Sequence, residues 1–211
     1  MSTRVRSGMR TTTFPDGSGV HVSTNLAHPL NLRLLPFPVS RFPPTGHVGI
    51  ALSAGFAAGI CAGDRLLTEG DLLRSGIPVR TAWDRAAAGA LEAARTSDGV
   101  RVYVRTRRVP GYPGSILQVA VPGRPTTDWL AHPETFTTID RHLTTVFGKN
   151  PVWFAPRVGE LYATTGDHAA LQAWATRRFH GSGLDAICPE PIHCADGFPV
   201  VERPAQVQDN S

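Results

Sequence analysis

From Arg65 to Arg95 the hydrophobic and polar positions change rhythm in a way that marks a strand end, a short helix, a stop and a longer helix. Thr68 followed by Asp71 predicts a capped helix start, because each side chain can satisfy a backbone amide left free in the first turn. Gly76 predicts the stop, and Pro78 suits the first position of the next helix. Val79, Trp83, Ala86, Ala87, Ala90, Leu91 and Ala94 then recur at helical spacing and predict one buried face. Arg80, Asp84, Arg85, Glu92 and Arg95 fall off it. Trp83 is expected to anchor the core.

Upstream, His47–Gly63 holds no Asp, Glu, Lys or Arg and spaces Gly55, Gly59 and Gly63 four apart. It is shorter than the roughly 20 apolar residues a spanning helix requires. Two buried strands joined by a glycine turn, about Val48–Ala54 and Ala58–Leu67, are expected instead. Downstream, Val100–Thr106 alternates with period two, placing Val100, Val102 and Val104 on one side and Arg101, Tyr103 and Arg105 on the other. The turn-rich Val109–Gly114 leads to Ser115–Val121, so these segments predict a hairpin.

A helix is expected from Pro133 to Gly148, with Phe136, Ile139, Leu143 and Val146 toward the core and Trp129 and Leu130 on a turn before it. Strands at Val152–Pro156 and Glu160–Thr164 follow. A last helix runs over about Asp167–Phe179, with Leu171, Trp174, Ala175 and Phe179 as its buried stripe, and a closing hairpin turns at Asp196-Gly197. Hairpins alternating with helices imply an α+β fold, a mainly antiparallel sheet with helices packed on one face.

Composition adjusts this picture only slightly. The chain has 211 residues, of which 41% are hydrophobic and 18% charged, which suits one folded domain. The expected layout is a flexible tail at 1–19, an extended proline-rich segment at 20–45, one α+β domain at 46–203 and a tail at 204–211. Within the extended segment, Val20–Leu35 has strand character interrupted by Pro29, and Pro36–Pro44 reads as a polyproline-like connector.

The formal net charge is +4, and Lys149 is the only lysine, an arginine bias that points to a GC-rich bacterial genome as much as to function. Such a charge permits a polyanionic partner without requiring one. Three cysteines, Cys61, Cys188 and Cys194, are too few and too odd in number for a disulfide framework, so a reducing cytoplasm is expected. No apolar run follows Arg4, Arg6 and Arg10, so neither a signal peptide nor a membrane association is expected.

Two stretches carry a family resemblance. Leu67-Thr68-Glu69-Gly70-Asp71-Leu72-Leu73-Arg74-Ser75-Gly76-Ile77 is similar to a T-E-E-D-L … L-G-L turn that precedes a helix. Asn150–Thr164 is similar to a strand pair of the type D-x-V-V-A-V-P-x-R-D-x-L-L-x-A. With the closing segment Leu184–Val201, these make Leu66–Val201 resemble the bacterial YtpQ-like family. The resemblance implies a fold for this region and brings no activity, cofactor or site residue with it.

The candidate chemistry is sparse. Arg101, Tyr103, Arg105 and Arg107 project from one side of a strand, with Arg108 and Arg124 expected nearby. Arginine forks bind phosphate or carboxylate, and an aromatic among them can stack a base. The plainer reading, preferred here, is a solvated sheet face whose arginines pair with acidic neighbours. Cys188, His193 and Cys194 have the wrong spacing for a zinc site. Asp140 and His142 are two apart and do not share a helix face, while His132 and His168 read as capping or surface residues. Ser182, between glycines, reads as a turn. No HExxH, G-x-S-x-G, phosphate-binding loop or dinucleotide fingerprint is present.

The expected function is that of a bacterial cytoplasmic protein that binds another protein, an accessory or immunity-type factor, with no cofactor. A nucleic-acid- or anion-binding module using Arg101, Tyr103, Arg105 and Arg107 is the second reading. An enzyme with a dispersed active site is the third.

Overall fold

The computed structural model describes residues 28–36 and 46–201. The tails expected at 1–19 and 204–211, and the part of the proline-rich connector at 37–45, lie outside the described residues. Among the described residues two larger antiparallel sheets, a separate two-stranded hairpin and four α-helices make up the fold, which is α+β.

The first sheet sets β3 (Phe56–Ala62) between β1 (Leu30–Pro36) and β2 (Gly49–Ala51), and β4 (Arg65–Leu66) pairs with the end of β3. The apolar run after His47 is therefore two short strands around a turn. Leu30–Pro36, part of the stretch read as an extended connector, is a core strand. Leu32 and Leu34 are buried in the main core, and the strand pairs with β3 along its full length. Pro29 does not interrupt it, because the strand starts directly after that residue.

The capped helix start is built as expected. Thr68 Oγ1 accepts from the Asp71 N–H at 3.1 Å, and Asp71 Oδ2 accepts from the Thr68 N–H at 2.9 Å. These two bonds open α1 (Glu69–Arg74). Gly76 then takes the left-handed conformation at φ +63°, and α2 (Val79–Ala93) follows Pro78. Ala82, Trp83, Ala86 and Ala87 are buried, and Trp83 donates from Nε1 to the Ala131 carbonyl at 2.8 Å. Val79, expected inside, is exposed at the first turn.

A small hairpin, β5 (Arg95–Thr96) and β6 (Gly99–Val100), leads to β7 (Tyr103–Arg108) and β8 (Ser115–Ala120). A fully buried 3-10 segment (Thr126–Ala131) precedes α3 (Pro133–Phe147). Then come β9 (Val152–Arg157), β10 (Glu160–Thr164), α4 (Ala169–His180), and the closing pair β11 (Ile192–Ala195) and β12 (Phe198–Val201). The six-stranded sheet runs β12-β11-β9-β10-β8-β7, antiparallel throughout. Asp196 at φ +51° and Gly197 at φ +83° make the closing turn, with two successive left-handed residues as such tight hairpins require.

Helical cover is shared between the faces of this sheet. Trp153, Ala155, Leu161, Ala163 and Val119 enter the main core with α2, α3 and the first sheet. Phe154, Tyr162 and Ile116 point the other way, into a smaller core closed by Leu171 and Ala175 of α4. The one-face arrangement expected of the helices thus holds for α3, with α2 packing on β1 of the first sheet in the same core, while α4 covers the opposite face. The cause lies in β9 and β10, whose buried residues run consecutively rather than alternately, the pattern of strands covered on both sides. In α3, Phe136, Ile139 and Leu143 are fully buried, whereas Val146 is 52% exposed, since the apolar stripe continues through the partly buried Phe147 instead.

Candidate functional site

Strand β7 forms one edge of the six-stranded sheet, and all six of its residues are exposed. Its register with β8 pairs Tyr103 with Ala120, Arg105 with Gln118 and Arg107 with Ile116. Alternation therefore sets Tyr103, Arg105 and Arg107 on the face that carries Ile116 and α4, and sets Val104, Thr106 and Arg108 on the other. Arg101 lies just before the strand, and its Nη1 donates to Tyr103 Oη at 3.4 Å. The four residues singled out in the sequence are thus neighbours on one surface. Arg108 projects from the opposite side. Arg124 is remote, donating from Nη2 to the Gly63 carbonyl at 3.0 Å and pairing with Asp64.

The acidic neighbours expected for these arginines are not there. Among the described residues no carboxylate pairs with Arg101, Arg105 or Arg107; Gln118 takes that place. Its Oε1 accepts from Arg105 Nη2 at 2.7 Å and from Arg107 Nε at 2.8 Å. A single amide oxygen, with two lone pairs, gathers both guanidinium groups over β8 and leaves their remaining N–H groups unspent. Glu160 on β10 is engaged by Arg178 of α4, whose Nε donates at 2.7 Å while Nη2 meets the second oxygen, and by Arg157 at 3.3 Å. Burial works against ionisation of Glu160, but the Arg178 bonds and charge hold its carboxyl below the usual range. Arg178 also lies 5.7 Å from the centre of the Trp174 ring, which meets Tyr162 edge-on. This group fastens α4 to the sheet beside the arginine face.

Several other titratable groups have structural partners. His132 caps α3: its Nδ1 accepts from the Glu134 N–H at 3.1 Å, so the ring proton sits on Nε2 and reaches Asp84 at 3.2 Å. With Trp83 packed 4.4 Å away, this ties α2 to α3. Asp140 accepts from Trp153 Nε1 at 2.8 Å, and burial raises its carboxyl. Burial also raises the Cys188 thiol, and it pushes Cys194 up to about 11. Among the described residues, no three His, Cys, Asp or Glu side chains gather as a metal ligand set. An open depression of about 620 Å³ is lined by Pro133, Glu134, Thr137, Thr138 and Arg141, along one face of the first half of α3 and just beyond it.

The sequence offered no hint of Asp128. Only 3% exposed, it lies in the 3-10 segment, and Oδ1 accepts from the Leu34 N–H on β1 at 3.1 Å. Oδ2, like Arg33 Nε and Arg124 Nε, is buried with no hydrogen-bond partner among the described residues. Burial pushes its carboxyl up to about 6, against the pull of the Leu34 bond and the two arginine charges. A polar residue in a Thr-Thr-Asp-Trp turn carries no sequence signal of burial.

No helix among the described residues is long and apolar enough to cross a membrane. No family model, no curated protein and no solved structure matches the chain.

Proposed function

We propose that the protein is a partner-binding factor whose docking surface is the β7 edge with its arginine face. The observation that carries this reading is where the arginines go. Charged side chains usually guard a sheet edge by reaching past it. Here Arg105 and Arg107 fold inward onto Gln118, so they charge the surface without covering the backbone of β7. A bacterial cytoplasmic accessory or immunity-type role fits such a surface. The resemblance to the YtpQ-like family fits the same region and adds no chemistry to it.

The reading is tested by low-salt affinity capture from the host with the natural chain and with Arg105→Glu/Arg107→Glu. A stoichiometric protein captured by the first and lost by the second is expected. The same protein held equally by both would overturn it.

A second reading rests on the lack of carboxylate partners among the described residues: three arginines and Tyr103 form a surface for phosphates. It predicts captured nucleic acid released steeply by salt, because each phosphate contact frees counterions.

A further inference from the structure

We infer that the occupant of the β7 edge is an extended protein segment alternating acidic with apolar or β-branched residues, bound as a seventh strand. The inference rests on the partner-binding reading above and names the chemistry of the partner.

Three features of β7 select this occupant. Among the described residues its only strand partner is β8. Every second residue of an antiparallel edge strand directs its N–H and C=O outward, so β7 presents half its main-chain groups to an added strand. Its two faces also differ in chemistry. On one side stand Tyr103, Arg105 and Arg107; on the other stand Val104 and Thr106, beside Val119 and Leu117 of β8. A strand laid against this edge has its own side chains alternating in the same way. The side chains beside the arginines must be anionic to complement them, and those beside Val104, which is 42% exposed, must be apolar to extend the covered surface.

Charge excludes the nearest competitors. A second copy continuing the sheet antiparallel through a two-fold axis would set arginine against arginine on the shared face, which is destabilising. The chain's own N-terminal region brings Arg4, Arg6 and Arg10, and its C-terminal region holds Glu202 and Asp209 too far apart to alternate. Nucleic acid is disfavoured by the aromatics. Stacking successive bases takes several rings, and Tyr103 is the one aromatic on the strand.

The test measures fluorescence anisotropy with three labelled probes: a short capped peptide alternating Glu with Val and Thr, a block isomer with its glutamates run together, and an oligothymidylate of equal charge. The alternating peptide should bind roughly tenfold more tightly than the block isomer, since only alternation puts every carboxylate on the arginine side. Arg105→Glu/Arg107→Glu should weaken it by roughly tenfold or more, while Arg85→Glu, on the exposed side of α2, leaves it unchanged. Circular dichroism confirms that both variants stay folded. Equal binding of the two peptides, tighter binding of the oligonucleotide, or no binding of the alternating peptide would overturn the inference. If host capture still yields a protein that the arginine variant loses, the docking surface survives and only the occupant was misassigned. If capture is unaffected by the variant, the docking surface itself fails.

Discussion

At one end of the six-stranded sheet β12 is four residues long and includes Pro199, which has no N–H to offer. Its turn residue Gly197 lies so close to α3 that a Cβ there would sit 2.7 Å from Thr137 Oγ1 and 2.8 Å from Pro133. Its last residue, Val201, packs against Gly55 in the turn between β2 and β3, where a Cβ would come within 2.8 Å. At the other end β7 is six residues long, has no proline, is exposed on both faces and carries its arginines turned back over the sheet. The first sheet supplies a third case. There the β1 edge is closed by one side chain, with Asp128 taking the Leu34 N–H from inside the core. The same problem, unpaired backbone at a strand edge, is met by packing at β12, by a buried carboxylate at β1, and by neither at β7. Of these three edges β7 is the one left open among the described residues, and a partner strand can add there without dismantling anything.

The largest expected effect is at the closed edge. Gly197→Ala forces a side chain into a left-handed turn and against the Pro133 carbonyl, and should cost about 3 kcal/mol in denaturant unfolding. If the cost were negligible, β12 would not be held as described.

Asp128→Asn should act in the opposite direction. The natural carboxyl titrates at about 6 in the fold against an ordinary value of 3.8. The folded state therefore keeps the proton longer than the unfolded chain does. Stability from this group is fully present below pH 3.8 and declines as pH rises through about 6. Asparagine keeps an oxygen for the Leu34 N–H without the buried charge, so the variant should be more stable above that window by about 2 kcal/mol. Unfolding curves of both proteins across the pH range check this, and a variant equally or less stable at neutral pH would contradict it.

The smallest expected change in stability is at the open edge. Arg105→Glu/Arg107→Glu, made only of exposed groups, should shift unfolding by less than about 1 kcal/mol while removing partner binding. A large loss of stability would mean that the arginines close the edge after all.

Local signals were read directly from the chain. Thr68 with Asp71, Gly148 after α3 and Asp196-Gly197 each specify their structure within a few residues, and each is found in place. The period-two run expected over Val100–Thr106 showed which side chains share a side of β7 from Tyr103 onward, while Val100 pairs with Arg95 in the small hairpin instead. What was hidden depends on pairing across distance. That Leu30–Pro36 joins β3 is a matter of which strand lies beside it, and its flanking prolines pointed elsewhere. Gln118 is an ordinary polar residue until the register sets it opposite Arg105. That β7 is an edge follows from strand order, and that α4 takes the far face follows from both-sided burial of β9 and β10. Asp128 was invisible because nothing local distinguishes a buried aspartate in a turn from a solvated one.

The most direct test is backbone hydrogen exchange, read by mass spectrometry or NMR, with and without the alternating acidic peptide. Exchange at the outward-facing amides of Tyr103–Arg108 should be fast in the free protein and slowed by the peptide, with β12 unchanged. Binding that leaves β7 exchange as it was, or slows it only at other surfaces, would contradict the account.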